Sequence, residues 1–271
     1  MPVGPQTTKQ STFTLGQSAE GRDLVVQANF DLHTQPAPSG ITLCLGGVHG
    51  DEPATTQLLL RFKMEYLATR KVSQPTIIWP TVNPDGTARS TRYNARGVDL
   101  NRNCEHGWRA AAEGDEPPGD APWSEPESRA LRNLILLWRP AKIVTLHWAL
   151  AEFDADGPQS LPLLDAMWDA LSPEERRPYR RRHATQPAPD ALPGSLGGWC
   201  GYALKYPDGT APAIVTLELP WNPAVPRGET LPDDHLAACH LRWKTDSSGY
   251  LAAVRPPVFK ALCAACAHKA E

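Results

Sequence analysis

Four short apolar runs constrain the fold most strongly: residues 41–45, 76–79, 143–146 and 214–217. Each is almost continuously apolar and is followed at once by Gly, Pro, His or Glu. A strand with one wet face alternates in character, whereas a strand covered on both faces does not, so these runs read as buried strands. Between the first two, the segment from Pro53 to about Arg70 carries Leu58, Leu59, Phe62, Tyr66 and Leu67 at a 3.6-residue period, which predicts an amphipathic helix. Buried strands alternating with helix predict an α/β protein whose mostly parallel sheet lies between helices.

The chain has 271 residues, enough for one α/β domain or two small ones. A formal net charge of -3 gives no electrostatic case for a nucleic-acid partner. No segment approaches the roughly 20 apolar residues of a membrane span, so no membrane partner is expected. The residues from Met1 to Lys9 lack the apolar core of a signal peptide, which predicts a cytoplasmic location. Cys44, Cys104, Cys200, Cys239, Cys263 and Cys266 are scattered, and Cys44 sits inside an apolar run; reduced thiols fit better than a disulfide framework.

Residues 12–29 read as two strands around the turn Ser18-Ala19-Glu20-Gly21-Arg22. Asn83-Pro84-Asp85-Gly86 reads as a turn that opens a long polar stretch reaching Trp123. A loop of that length inside a compact domain is usually functional or disordered. Helices are predicted over residues 127–138, around Leu161-Pro162-Leu163-Leu164, at Gly194-Ser195-Leu196-Gly197-Gly198-Trp199, and in the tail around Leu236 to Trp243 and again from Ala252 to the end. The basic run from Arg176 to Arg182 reads as a solvated helix end, with an anion-binding patch as the alternative. Cys263-Ala264-Ala265-Cys266 has helical spacing and reads as small core residues, with a second metal site as the alternative.

Three of the buried runs end on side chains that hold metals or protons: His49 and Glu52 after the first, His147 after the third, Glu218 after the fourth. In an open α/β sheet the strand ends lie along one rim, so groups distant in sequence can meet there. Two histidines and one carboxylate leave a fourth zinc position open to water, the pattern of a catalytic site. Glu218, flanked by Leu217 and Leu219, is the candidate general base, since a carboxylate inside an apolar strand costs several kcal/mol unless paired or functional. The stretch from Arg92 to Asn103 adds guanidinium groups suited to an oxyanion or a substrate carboxylate, and Asp99 can fix the tautomer of a ligand histidine.

These pieces together resemble the zinc carboxypeptidases related to carboxypeptidase A. The matching stretches are Ser18-Ala19-Glu20-Gly21-Arg22, His49-Gly50-Asp51-Glu52, Asn83-Pro84-Asp85-Gly86, Gly97-Val98-Asp99-Leu100-Asn101-Arg102-Asn103, Leu146-His147 and Thr216-Leu217-Glu218-Leu219, in that order over about residues 12–220. The resemblance implies one zinc ion per chain on His49, Glu52 and His147, with Glu218 as general base. It further implies Arg92 as carbonyl and oxyanion donor, Asn101 and Arg102 as the grip on a substrate carboxylate, and Asp99 behind His49. The implied fold is a single α/β domain spanning residues 1–271, a mixed twisted sheet of about eight strands flanked by helices on both faces, with residues 221–271 as a helical C-terminal part. Within the family the chain looks most like the bacterial murein tripeptide amidases, through Ser124-Glu125-Pro126-Glu127 and Pro193-Gly194-Ser195-Leu196-Gly197-Gly198-Trp199-Cys200. That likeness implies a cytoplasmic amidase of the γ-D-glutamyl to meso-diaminopimelate bond in peptidoglycan recycling. It implies a small murein peptide as partner, Ser195 and Leu196 as substrate-binding residues, and a homodimer by analogy.

The chain departs from the family in three places. The loop from Thr185 to Leu192 has no tyrosine where carboxypeptidases carry a mobile one, and Cys104 replaces the usual aromatic after Asn103. The acidic residues after His147, Trp148-Ala149-Leu150-Ala151-Glu152-Phe153-Asp154, read as a solvated loop, with selection of a substrate amine as the alternative. Competing functions are a general metallocarboxypeptidase and a deacylase of the aspartoacylase and succinylglutamate desuccinylase type. A peptide-binding module that kept the fold is disfavoured, since all three ligands and the base are present.

Overall fold

The computed structural model describes residues 11–33, 37–69, 71–183, 192–224 and 235–269. Seven strands form one mixed sheet: β1 (Ser11–Gln17), β2 (Asp23–Ala28), β3 (Thr42–Leu45), β4 (Thr76–Trp79), β5 (Lys142–Asp156), β6 (Arg180–His183) and β7 (Ala213–Pro220). The path runs β1-β2-β4-β3-β5, with β1 and β2 antiparallel and β3 parallel to both β4 and β5.

β5 is longer than the sequence predicts and doubles back. Lys142 to Ala149 advance in step with Ala213 to Pro220 of β7, but Glu152, Phe153, Asp154, Ala155 and Asp156 then stand opposite Glu218, Leu217, Thr216, Val215 and Ile214. The second half therefore runs back along the other edge of β7, and Ala151, with φ 54°, takes the reversal. β6 pairs with this second half, Glu152 opposite Arg180 and Asp154 opposite Arg182. The chain thus crosses the sheet about eight times with seven strands, which reconciles the expected count with the observed one. The acidic stretch after His147 is this reversal and returning strand, not a solvated loop; Glu152 is 2% exposed.

Alternate residues of the central strands feed two apolar clusters. Cys44, Ile78, Val144 and Leu146 belong to one; Leu43, Leu45, Ile77, Trp79 and Ile143 belong to the other. Since both faces are covered, both residue sets are apolar, which is why the runs look continuous. On the first face lie α1 (Pro53–Phe62), α4 (Leu161–Asp169) and α7 (His235–Ala267). On the second, α3 (Pro126–Trp138) buries Leu131, Leu134, Ile135 and Trp138. Burying each such side chain contributes roughly 1.5 to 3 kcal/mol before entropy is subtracted.

Four local expectations change. Asn83-Pro84-Asp85-Gly86 opens a helix, α2 (Pro84–Arg89): Asn83 Oδ1 accepts from the Gly86 N–H at 2.8 Å and Pro84 fills the first turn. The Arg run is a helix end only at its start, Arg176 and Arg177. It leaves the short α5 (Pro173–Arg176) and becomes edge strand β6, whose Arg180 and Arg182 bond to Glu152. The helix after Pro53 widens into a π turn at Lys63–Leu67. Finally, Cys239–Ala267 of α7 is long and apolar enough to cross a bilayer by length and composition, contrary to the sequence reading. Its Tyr250, Val254, Val258 and Leu262 instead pack in the core. Cys266, on that helix, accepts a hydrogen bond from Thr76 Oγ1 at 3.6 Å, which fits the packing role expected of it.

Candidate metal centre and its cleft

The turn between β3 and α1 carries His49 and Glu52. Gly47 adopts φ 57°, where a side chain would be strained, and its N–H donates to Thr55 Oγ1 at 2.9 Å. Gly50 lies against the first turn of α2 so closely that a Cβ there would sit 2.0 Å from the Gly86 carbonyl carbon. Glu52 stands at the N-cap of α1, with Pro53 next, but its carboxylate makes no capping bond. It faces the imidazoles instead: Glu52 Oε1 is 2.7 Å from His49 Nδ1, and Oε2 is 3.3 Å from His147 Nδ1.

His147, midway along β5, brings its Nδ1 to 3.3 Å from His49 Nδ1. His49, Glu52 and His147 are all buried, with one donor atom of each within 4.8 Å of the others; among the described residues they form the group suited to a metal ion. Two nitrogens bound to one zinc at about 2.05 Å and a tetrahedral angle are separated by about 3.3 Å. Glu52 Oε2, buried and without a hydrogen-bond partner, is a further donor waiting for a cation. The residues fit zinc.

Electrostatics reinforce the centre. Burial opposes charge on His49, but Glu52 and Asp99 outweigh it and lift the imidazole to about 9. Burial likewise opposes the Glu52 carboxylate, which His49 and His147 nonetheless bring down to about 2. Burial lowers His147 below its ordinary value. Asp99, at the start of the turn Leu100–Arg102, has its Oδ1 3.2 Å from His49 Nε2. Its Oδ2 accepts from Arg92 Nε and Nη2 at 3.0 and 2.7 Å. Arg92 Nη1 is left 3.3 Å from His49 Nδ1, at the edge of the metal group.

The cleft, of about 240 Å³, is lined by His49, Glu52, Arg92 and His147 together with Asn101, Arg102, Ser195 and Glu218. Asn101 Oδ1 accepts from the Leu196 N–H at 2.9 Å, and Arg102 Nη1 donates to the Asn101 carbonyl at 2.7 Å. Ser195 lines the cleft, while its Oγ caps α6 (Leu196–Gly198) by accepting from the Gly198 N–H at 3.0 Å. Leu196 is placed differently from its expected role. Its side chain, 3% exposed, belongs to the apolar cluster containing Leu100, Cys104 and Trp199. Glu218 accepts from the Leu150 N–H at 3.4 Å, and burial, followed by repulsion from Glu52, pushes its carboxyl up to about 8.

The sequence reading missed Asp156, Thr216 and Arg182 as cleft residues and had Glu152 and Asp154 there only as its alternative. The signal was present: Glu152, Asp154 and Asp156 alternate with Phe153 and Ala155, the two-residue period of a half-buried strand. The other matched motifs act as supports. Asp85, fully buried, accepts from Ser18 Oγ, the Glu20 N–H and Arg22 Nη1 at 2.8, 3.0 and 2.6 Å. Asn103 Nδ2 donates to the Pro118 and Ala121 carbonyls, while its Oδ1 accepts from Ser128 Oγ, which ties the long polar loop to α3. The loop without a tyrosine falls largely on residues 184–191, outside the described residues.

Residues 5–149 match the family model described as zinc carboxypeptidase. The chain belongs to the zinc carboxypeptidase family. It is accordingly a hydrolytic enzyme, and this family member is 31% identical over 216 residues to murein peptide amidase A of Escherichia coli strain K12, covering 74% of this chain and 82% of that one. It is 29% identical over 226 residues to murein peptide amidase A of Vibrio campbellii, covering 79% and 83%. The fold matches the murein-tripeptide amidase of Escherichia coli O157 with a TM-score of 0.57 at 24% identity, covering 94% of each chain. It matches carboxypeptidase A of Helicoverpa armigera with a TM-score of 0.65 at 21% identity, covering 97% of this chain and 70% of that one.

Proposed function

We propose that this chain is a zinc-dependent amidase that hydrolyses the γ-D-glutamyl to meso-diaminopimelate bond of murein tripeptide, in the cytoplasm, as part of cell-wall peptide recycling. The observation that carries the chemistry is that Glu218, Arg92 and the group His49, Glu52 and His147 line one cleft. The similarity to murein peptide amidases over most of their length supports the choice of bond.

Zinc held by His49, Glu52 and His147 supplies a Lewis acid that acidifies water and polarises an amide carbonyl. Glu218 accepts the proton of the attacking water on its carboxylate and returns it to the departing amine. Arg92 directs Nη1 toward the metal group, where it stabilises negative charge developing on the carbonyl oxygen. Asp99 holds both Arg92 and His49, so one carboxylate sets the position of the oxyanion donor and of a metal ligand. Arg102 and Asn101 bind the terminal carboxylate of the substrate, and Ser195 borders them.

The test is a substrate panel with the zinc-loaded protein: murein tripeptide, a peptide with a C-terminal aromatic residue, and an N-acyl amino acid. Cleavage of the tripeptide alone supports the proposal, and preference for either of the others replaces it with a carboxypeptidase or a deacylase. Glu218→Gln should keep one zinc per chain and lose about 10²- to 10⁴-fold in kcat. Undiminished turnover would reject Glu218 as the base.

A further inference from the structure

The long polar stretch that reaches Trp123 brings a second carboxylate to Arg92. Glu116 Oε1 lies 3.5 Å from Arg92 Nε, the atom that also donates to Asp99 Oδ2 at 3.0 Å. Two carboxylates thus flank one N–H, with the Asp99 side chain fully buried and that of Glu116 38% exposed. The other oxygen of Glu116 is held in turn: Tyr93 Oη donates to Glu116 Oε2 at 2.8 Å. That bond, followed by burial, raises the Tyr93 hydroxyl above its ordinary value, so it keeps its proton and its role as donor.

The backbone beside Glu116 is tied to the same part of the site. The Pro117 carbonyl accepts from the Asp99 N–H at 2.8 Å, and the Pro118 carbonyl accepts from Asn103 Nδ2 at 2.7 Å and Trp108 Nε1 at 3.2 Å. Glu116 therefore starts from a stretch pinned to both ends of the segment from Asp99 to Asn103. It lines a neighbouring cavity of about 290 Å³ that shares Arg102 with the metal cleft, and not the cleft itself. Its place is beside the arginines that meet a substrate, not against the substrate.

Coulomb's law says what a second carboxylate does there. Arg92 Nη1 sits 3.3 Å from His49 Nδ1, so a divalent cation held by the metal group pushes against the guanidinium. Asp99 divides its charge, with Oδ1 toward His49 and Oδ2 toward Arg92. Glu116 adds a second negative charge whose other oxygen engages Tyr93 and not a metal ligand. Resting on the reading of Arg92 as oxyanion donor, we infer that Glu116, clamped by Tyr93, is a positioning residue that keeps the Arg92 guanidinium turned toward the metal group during hydrolysis. With one anchor the guanidinium can pivot and swing Nη1 aside; with two, its Nε edge is pinned and Nη1 stays where negative charge develops. An ion pair this exposed adds little to folding, so its effect shows in the rate.

The experiment measures kcat and KM of the zinc-loaded parent, Glu116→Gln, Tyr93→Phe, Arg92→Ala and the double variant Arg92→Ala/Glu116→Gln. The substrate is murein tripeptide, or whichever member of the panel above the parent cuts, so the result does not depend on the choice of bond. Hydrogen exchange at Arg92 Nε–H, followed by NMR on the zinc-free proteins, reads the clamp without turnover. Glu116→Gln should lower kcat by about 3- to 10-fold with KM and Tm nearly unchanged, and Tyr93→Phe should lower it by less. Both should speed exchange at Nε–H. In the Arg92→Ala background, Glu116→Gln should cost nothing further, because its effect passes through the missing guanidinium. An unchanged kcat or exchange rate in Glu116→Gln, a loss carried by KM, or the same loss with and without Arg92 would overturn the inference and leave Arg92 as oxyanion donor. If Arg92→Ala turns over as fast as the parent, the oxyanion reading itself fails and takes the role of Glu116 with it.

Discussion

The Nδ1 atoms of His49 and His147 face each other at 3.3 Å, although the residues lie 98 positions apart in sequence. Bringing two imidazoles and the Glu52 carboxylate together in a buried site orders three side chains around one point, so the arrangement gains stability when a cation binds. Zinc at about 1,000 times its Kd should stabilise the native state by about 4 kcal/mol, and removal by a chelator should lower Tm by about 10 °C. Identical melting curves with and without zinc would refute the metal assignment. His147→Ala should abolish the zinc-dependent shift.

Asp99 is shared between two partners, His49 and Arg92. Asp99→Asn keeps the shape but removes the charge, so the tautomer of His49 is no longer enforced and the guanidinium of Arg92 loses its anchor. Zinc affinity, measured by competition with a chromophoric chelator, should fall by about 10- to 100-fold. An unaltered affinity would mean that the Asp99 contact does not support the ligand.

Gly50 and Gly86 touch backbone to backbone where the two turns of the cleft meet. Gly50→Ala places a methyl group 2.0 Å from a carbonyl carbon that belongs to α2 and cannot swing aside. The expected loss is about 1 to 3 kcal/mol, read as a lower urea midpoint, with a displaced His49 and weaker zinc binding. Gly97→Ala, where a Cβ meets nothing within 4 Å but φ is 76°, gives the control for backbone strain without a clash.

Asp156 gives stability a pH dependence. Burial raises its carboxyl from the ordinary 3.8 to about 7, so the native state keeps the proton over an interval in which the unfolded chain has released it. Stability from this group therefore falls as pH rises: the penalty is absent below about 3.8, grows across the interval, and is complete above about 7. Asp156→Asn removes the penalty, and its gain in urea midpoint over the parent should be larger at pH 8 than at pH 5. A gain that does not change with pH would contradict the shift.

The candidate ligands and the candidate base were readable before any fold was known, because each follows an apolar run short enough to be a buried strand, and such strands end on one rim. Residue chemistry pointed to the stretch from Arg92 to Asn103 and to Asp99 as a histidine partner, the family resemblance gave Arg92, Asn101 and Arg102 their separate roles, and the structure gathers them around the metal group. Leu196 shows the limit of that route. Its position matched a specificity residue, but its side chain turns into the core while only its N–H serves the cleft.

What the sequence by itself determined is the set of buried strands and the donors at their ends, since hydrophobic periodicity is local and a His-x-x-Glu turn needs only its own neighbours. What the tertiary structure decided is which face the residues after His147 present. A reversal at Ala151 folds β5 around β7 and sets Glu152, Asp154 and Asp156 opposite Glu218, Thr216 and Ile214. Strand pairing across some 60 residues fixes that register, and a shift of one position would turn every one of those carboxylates away from the cleft.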